Sequence, residues 1–100
     1  MDLPAGIHIK ENSLRAKLAA KKLKTSSVAI VFGKSICLYG ISKKDFLNNE
    51  ALVKHELKHV AQYQQHGFAL FLIKYLLEWM KKGYHNNRFE VEAREAESTL

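Results

Sequence analysis

Apolar and polar residues alternate in blocks that predict a short strand, a helix, a hairpin and then three more helices. Gly6 to Lys10 carries Ile7 and Ile9 on one side and predicts a short N-terminal strand. Asn12 or Ser13 is placed to cap a following helix, in which Leu14, Leu18 and Leu23, with alanines between, form an apolar stripe up to Lys24. Val28 to Phe32 and Ser35 to Tyr39 are β-branched or aromatic runs separated by Gly33-Lys34. A two-residue loop with glycine first suits a type II′ turn, so these runs predict a β-hairpin. Gly40 to Asn49 is a polar connection with one apolar pair, Phe46-Leu47. Asn48 or Asn49 then caps a helix from Glu50 to His66, punctuated by Gly67. Phe68 to Lys82 predicts a second long helix whose polar residues, Lys74, Glu78, Lys81 and Lys82, fall in one narrow stripe. Gly83 to Asn87 is a turn, and Asn87 caps a last helix from Arg88 to Ser98. The expected fold is one α+β domain spanning residues 1–100. A small sheet, the hairpin plus the N-terminal strand, packs with three or four helices.

Composition narrows the function. At 47% hydrophobic and 26% charged residues the chain is neither disordered nor of low complexity. The single cysteine, Cys37, excludes an internal disulfide and a cysteine-built zinc cage. The net charge of +6 is uneven. Residues 1–24 hold six basic and two acidic side chains, whereas residues 83–100 hold two basic and four acidic ones. The basic segment has lysines without interleaved aromatics or a nucleic-acid-binding motif, so no nucleic-acid partner is expected. The start has neither a basic n-region nor an apolar h-region, and the stretch Phe68 to Met80 is interrupted by Lys74 and Glu78. The expectation is therefore cytoplasmic. That stretch is nonetheless more apolar than one small core requires; core packing accounts for most of it, and self-association or a membrane interface would use the rest.

His55-Glu56-Leu57-Lys58-His59 is an H-E-x-x-H sequence in the middle of a predicted helix. Residues four apart project from one helix face, so two imidazoles can converge on one zinc ion. Glu56, about 100° round the helix, can reach a water on the metal rather than the metal itself. Zinc lowers that water's pKa to about 7, and the glutamate takes its proton as the water attacks a carbonyl. The context supports the motif. With Val53 at zero on a helical wheel, Leu57, Val60 and Ala61 fall within roughly 80° of it, while His55 and His59 fall at roughly 200° and 240°.

Catalytic zinc takes three protein ligands. The candidates for the third are His66, His85, Glu90 and Glu92. The longer motif H-E-x-x-H-x-x-G-x-x-H is absent, since Gln62 and Gln65 stand at its glycine and last histidine. His66 is too far along a straight helix to close the site and suits the helix end. Asn87-x-x-Glu90 also fits a capping-box-like start, so spacing alone leaves Glu90 equally a cap or a ligand. Tyr84, His85 and Tyr63 are candidates, by chemistry, to stabilise a developing oxyanion.

His55-Glu56-x-x-His59, an apolar helix, and then Tyr84-His85-Asn86-Asn87-Arg88-Phe89-Glu90-Val91-Glu92-Ala93 resemble the gluzincin metallopeptidases. The closer likeness is to the minigluzincins, soluble single-domain peptidases of about this length that look like a minimal core of integral-membrane relatives. The resemblance implies zinc held by His55, His59 and the glutamate of E-x-x-A, which is Glu90, with Glu92 as second choice. It implies Glu56 as general base and acid in hydrolysing peptides or unfolded proteins, and a sheet edge from the 28–39 hairpin that binds extended peptide. Two residues depart from the pattern. Arg94 stands where gluzincins often place an aspartate that orients a zinc histidine, and Arg88 stands where relatives tend to have proline. An alternative is a gluzincin-like zinc domain that is inactive or regulatory and acts by binding protein. Glu95, Glu97 and the terminal carboxylate at Leu100 closely follow the ligand helix, and an open zinc position attracts carboxylates. The C-terminal segment is accordingly expected to restrain activity, making the chain a latent zymogen.

Overall fold

The computed structural model describes residues 3–99. Its elements in chain order are β1 (His8–Lys10), α1 (Leu14–Leu23), β2 (Val28–Phe32), β3 (Ser35–Tyr39), α2 (Lys43–Asn48), α3 (Glu50–His66), α4 (Phe68–Asn86) and α5 (Arg88–Ala96). The class is α+β, with five helices rather than three or four. The addition is α2, in the segment expected to be a plain connection. Ser42 caps it by accepting from the Asp45 N–H, and Phe46 is fully buried. Six residues with one apolar pair carry no helical period, so the buried Phe46, Leu47 packed beside the core, and the Ser42 cap hold this turn.

The three strands lie in the order β1-β3-β2. β2 and β3 form the expected antiparallel hairpin, with Ile30 opposite Cys37. Gly33 has φ 62° while Lys34 keeps a negative φ, as a type II′ turn requires. β1 pairs in parallel with β3, with Ile9 opposite Ile36, and α1 makes the crossover. β3 is thus central. Among the described residues β2 pairs only with β3, which leaves its other edge free beside α3.

The face of α1 that meets the sheet differs from the expected stripe. Ala16 and Ala20 are buried, whereas Leu14 and Leu18 are 70% and 60% exposed. Small side chains let this helix lie close to β2 and β3. Ser13 caps it as expected, accepting from the Ala16 N–H at 3.3 Å. On α3, Val53 and Val60 enter the core but Ala61 is exposed. The core joins Val31, Ile36 and Leu38 of the sheet to Phe46, Val53, Val60, Phe71 and Phe89. Phe71 and Phe89 meet edge to face at 4.9 Å and lock α4 onto α5.

Two glycines matter for the path. Gly83 (φ 79°, ψ 176°) breaks the helical path at the position expected to start a turn, and the chain makes one more helical turn before Asn87. At Gly40 (φ 75°) a β-carbon would overlap the Ser26 carbonyl oxygen and lie 2.9 Å from Ser27 Cα. Gly40→Ala is therefore expected to lower stability by more than the ~1 kcal/mol usual for an ordinary glycine site, read as a fall in thermal midpoint. A midpoint equal to the parent's would show that the hairpin exit relaxes freely.

Candidate metal centre

α3 and α5 build the centre. α3 begins at Asn49, whose Oδ1 accepts from the Leu52 N–H at 3.1 Å, and the helix then runs unbroken through the H-E-x-x-H residues. α5 begins at Asn87, which is fully buried. Its Oδ1 accepts from the Phe89 N–H at 2.9 Å and its Nδ2 donates to the Tyr75 carbonyl at 3.1 Å. The Asn87 N–H, which a capping-box glutamate would take, donates to the Tyr84 carbonyl at 3.3 Å, and Glu90 is free to turn inward. The Arg88 N–H, which a proline would lack, donates to Glu78 Oε1 at 3.0 Å.

His55 Nε2 lies 3.0 Å from Glu90 Oε1, and His59 Nε2 lies 3.2 Å from the same oxygen. One donor atom from each of the three residues falls within 4.8 Å of the others. Two imidazole nitrogens and a carboxylate are a ligand set that suits zinc, and tetrahedral bonds of about 2.0–2.2 Å would separate ligand atoms by roughly 3.3 Å. The donor atoms present therefore fit the ion in kind and in spacing.

Each histidine is held from behind. Glu97 Oε2 is 2.7 Å from His55 Nδ1, and Gln62 Oε1 is 2.8 Å from His59 Nδ1. The orientation of the Gln62 amide follows from its other partners. Its Nε2 donates to the Phe89 carbonyl at 3.1 Å and to Glu92 Oε1 at 3.0 Å, which leaves the oxygen to accept from the His59 Nδ1–H. In both rings Nδ1 is thus held as a donor, and Nε2, which donates to Glu90 in the metal-free protein, is the nitrogen that can lose its proton and turn its lone pair to a metal. Tyr75 closes the set by donating its hydroxyl to Glu90 Oε2.

Electrostatics follow from this geometry. Burial alone would raise the Glu90 carboxyl, but hydrogen bonds from His55, His59 and Tyr75 override it and hold the group well below the usual carboxylate range. Burial alone would lower His55 and His59, and hydrogen bonds to Glu90 turn both shifts upward. Among the described residues Glu56 has no such hydrogen-bonded partner. Burial pushes its carboxyl up to about 8; His59 opposes the shift, while Glu90 and Glu97 add to it.

The centre opens into a cavity of about 230 Å³. His55, Glu56, His59, Glu90 and Tyr84 line it, with Ala29 to Phe32 of β2 along another side. The polar face of α3 is thus buried against α5 and β2, with Glu56 only 3% exposed.

Among the sequence candidates, the fold brings together His55, Glu56, His59, Glu90 and Tyr84. It does not bring in Glu92, which is spent on Gln62, nor His85, which is exposed and outside the cavity lining. His66 ends α3 and stacks on Phe71. Tyr63 lines the cavity with its ring packed on Phe68 and Phe71. Among the described residues the tail puts no carboxylate into the three-ligand group, because Glu97 meets the ring nitrogen of His55 that does not face Glu90. The Leu100 carboxylate lies outside the described residues. Arg94, at the position of the missing aspartate, donates to the His85 carbonyl instead. Sequence reasoning did not single out Gln62, Tyr75 or the role of Glu97. The available signals were position: Gln62 is three residues after His59, and Glu97 is seven after Glu90.

A family model, the eCIS core domain, matches residues 6–67. The chain belongs to the eCIS core domain family. The matched stretch of this eCIS core domain runs from before β1 to the end of α3. It therefore contains His55, Glu56 and His59 and stops short of Glu90. No curated protein and no solved structure matches the chain significantly.

Proposed function

We propose that this eCIS core domain is a zinc-dependent endopeptidase of gluzincin type, with zinc held by His55, His59 and Glu90. The observation that carries the reading is the convergence of His55 Nε2, His59 Nε2 and Glu90 Oε1 beside a buried Glu56 in one cavity. When bound, zinc supplies Lewis acidity toward a peptide carbonyl and toward water. Glu56 takes the proton of the attacking water and delivers it to the leaving amine. Burial makes the ionised Glu56 a stronger base than a solvated carboxylate. The Tyr84 hydroxyl is kept protonated by burial and by the Glu90 and Glu56 carboxylates, and it donates to the oxygen that gains charge. The free edge of β2 holds an extended peptide by strand addition. Latency through Glu97 is not part of this reading, because that carboxylate serves His55 Nδ1.

A second reading has one observation in its favour. α4 exposes Leu70, Ile73, Leu76, Leu77 and Met80, an apolar face that the described residues leave about half uncovered or more. A zinc-binding domain that acts by binding protein, as a component of a secretion or injection system, would use that face. Zinc-loaded chain incubated with an unstructured protein separates the two readings. Cleavage supports the peptidase, and an intact substrate supports the binding domain. Among the described residues no helix is long and apolar enough to cross a membrane.

A further inference from the structure

The last turn of the chain is fastened to the H-E-x-x-H helix at two successive residues. The Lys54 ammonium donates to the Thr99 carbonyl, and the next residue, His55, meets Glu97 at 2.7 Å. Glu97 follows Glu90 by seven residues, two helical turns, so both carboxylates project from nearly the same face of α5. That face presents one carboxylate to each nitrogen of the His55 ring. Glu90 takes Nε2 at 3.0 Å and Glu97 takes Nδ1 at 2.7 Å. A carboxylate only accepts, so Glu97 pins the Nδ1 proton and fixes the ring plane.

We infer that Glu97 is the positioning residue for His55, so that the C-terminal turn is a working part of the metal centre and not its plug. The inference rests on the zinc reading above. It also accounts for Arg94: the orienting carboxylate sits three residues later, at the C-terminal end of α5. Binding is reciprocal between linked sites, so a metal that needs His55 in this pose also favours the docked turn.

The test is zinc affinity, measured by competition with a chromophoric chelator on the full chain and on variants. Glu97→Ala is expected to bind zinc about 10–100-fold more weakly, the usual cost of losing an outer partner of a metal histidine. Glu97→Gln, whose amide oxygen still accepts from Nδ1–H, is expected to recover part of that loss. Glu95→Ala removes the same charge from the same helix end and is expected to bind like the parent. The metal-free midpoint of Glu97→Ala should stay near the parent's, because this side chain is 36% exposed. Zinc should also slow amide exchange at Ser98 and Thr99 in the parent but not in Glu97→Ala. Parent-like affinity in Glu97→Ala would overturn the proposal, as would equal losses in Glu95→Ala and Glu97→Ala. A full chain that binds no zinc would sink the metal reading itself, and this inference with it.

Discussion

Glu56→Gln is expected to lose peptide hydrolysis by a factor on the order of 10²–10⁴ while keeping its zinc. The amide has the size of the carboxyl but cannot accept the water's proton. The same substitution is expected to stabilise the metal-free protein. The folded Glu56 carboxyl sits at about 8 against an ordinary 4.5. Between those values the folded state keeps a proton that the unfolded state has released, so stability is highest below the lower value. It falls as pH rises toward the upper one and is level beyond it. The amide has no charge to bury, so the variant should lack this decline and gain a few kcal/mol near pH 8, on the order set by the shift. Thermal melts of both metal-free proteins from pH 5 to pH 9 check it. Parent-like hydrolysis would remove Glu56 from the chemistry; parallel melting curves would remove the burial argument.

Glu90→Ala is expected to lose most of the zinc, more than the 10–100-fold typical of an outer partner, and His59→Ala should do the same. Glu92→Ala should cost less than about tenfold, because Gln62 Nε2 keeps the Phe89 carbonyl and His59 Nδ1 keeps its acceptor. The two glutamates point about 200° apart on α5, so only Glu90 reaches the two histidines, while Glu92 meets α3 at Gln62. A larger loss in Glu92→Ala than in Glu90→Ala would reverse the ligand assignment.

The parts of the fold with a strong local signal were legible in the sequence. The hairpin at 28–39 follows from two β-rich runs and a glycine-first loop, and α3 follows from its cap, its apolar back and the glycine after His66. The parts set by packing were not. Leu14 and Leu18 form an apolar stripe on paper, yet the sheet accepts Ala16 and Ala20, because closeness of backbones outweighs side-chain hydrophobicity there. The parallel pairing of β1 with β3 is a long-range choice that no local pattern encodes. The site divides in the same way. His55, Glu56 and His59 are readable from helical spacing alone, whereas spacing leaves Glu90 equally a cap or a ligand, and only its contacts with two histidines on another helix decide it. Gln62, Tyr75 and Glu97 act through contacts from 3 to 42 residues apart in sequence, and ordinary side chains of that kind carry no motif.

The most direct measurement of the central claim is cleavage of an unstructured protein by the full chain before chelation, after chelation and after zinc is returned. With zinc held by His55, His59 and Glu90, cleavage should stop on chelation and recover on adding back about one equivalent of zinc per chain. Cleavage that survives complete metal removal, or a zinc-loaded chain that leaves the substrate intact, would contradict it.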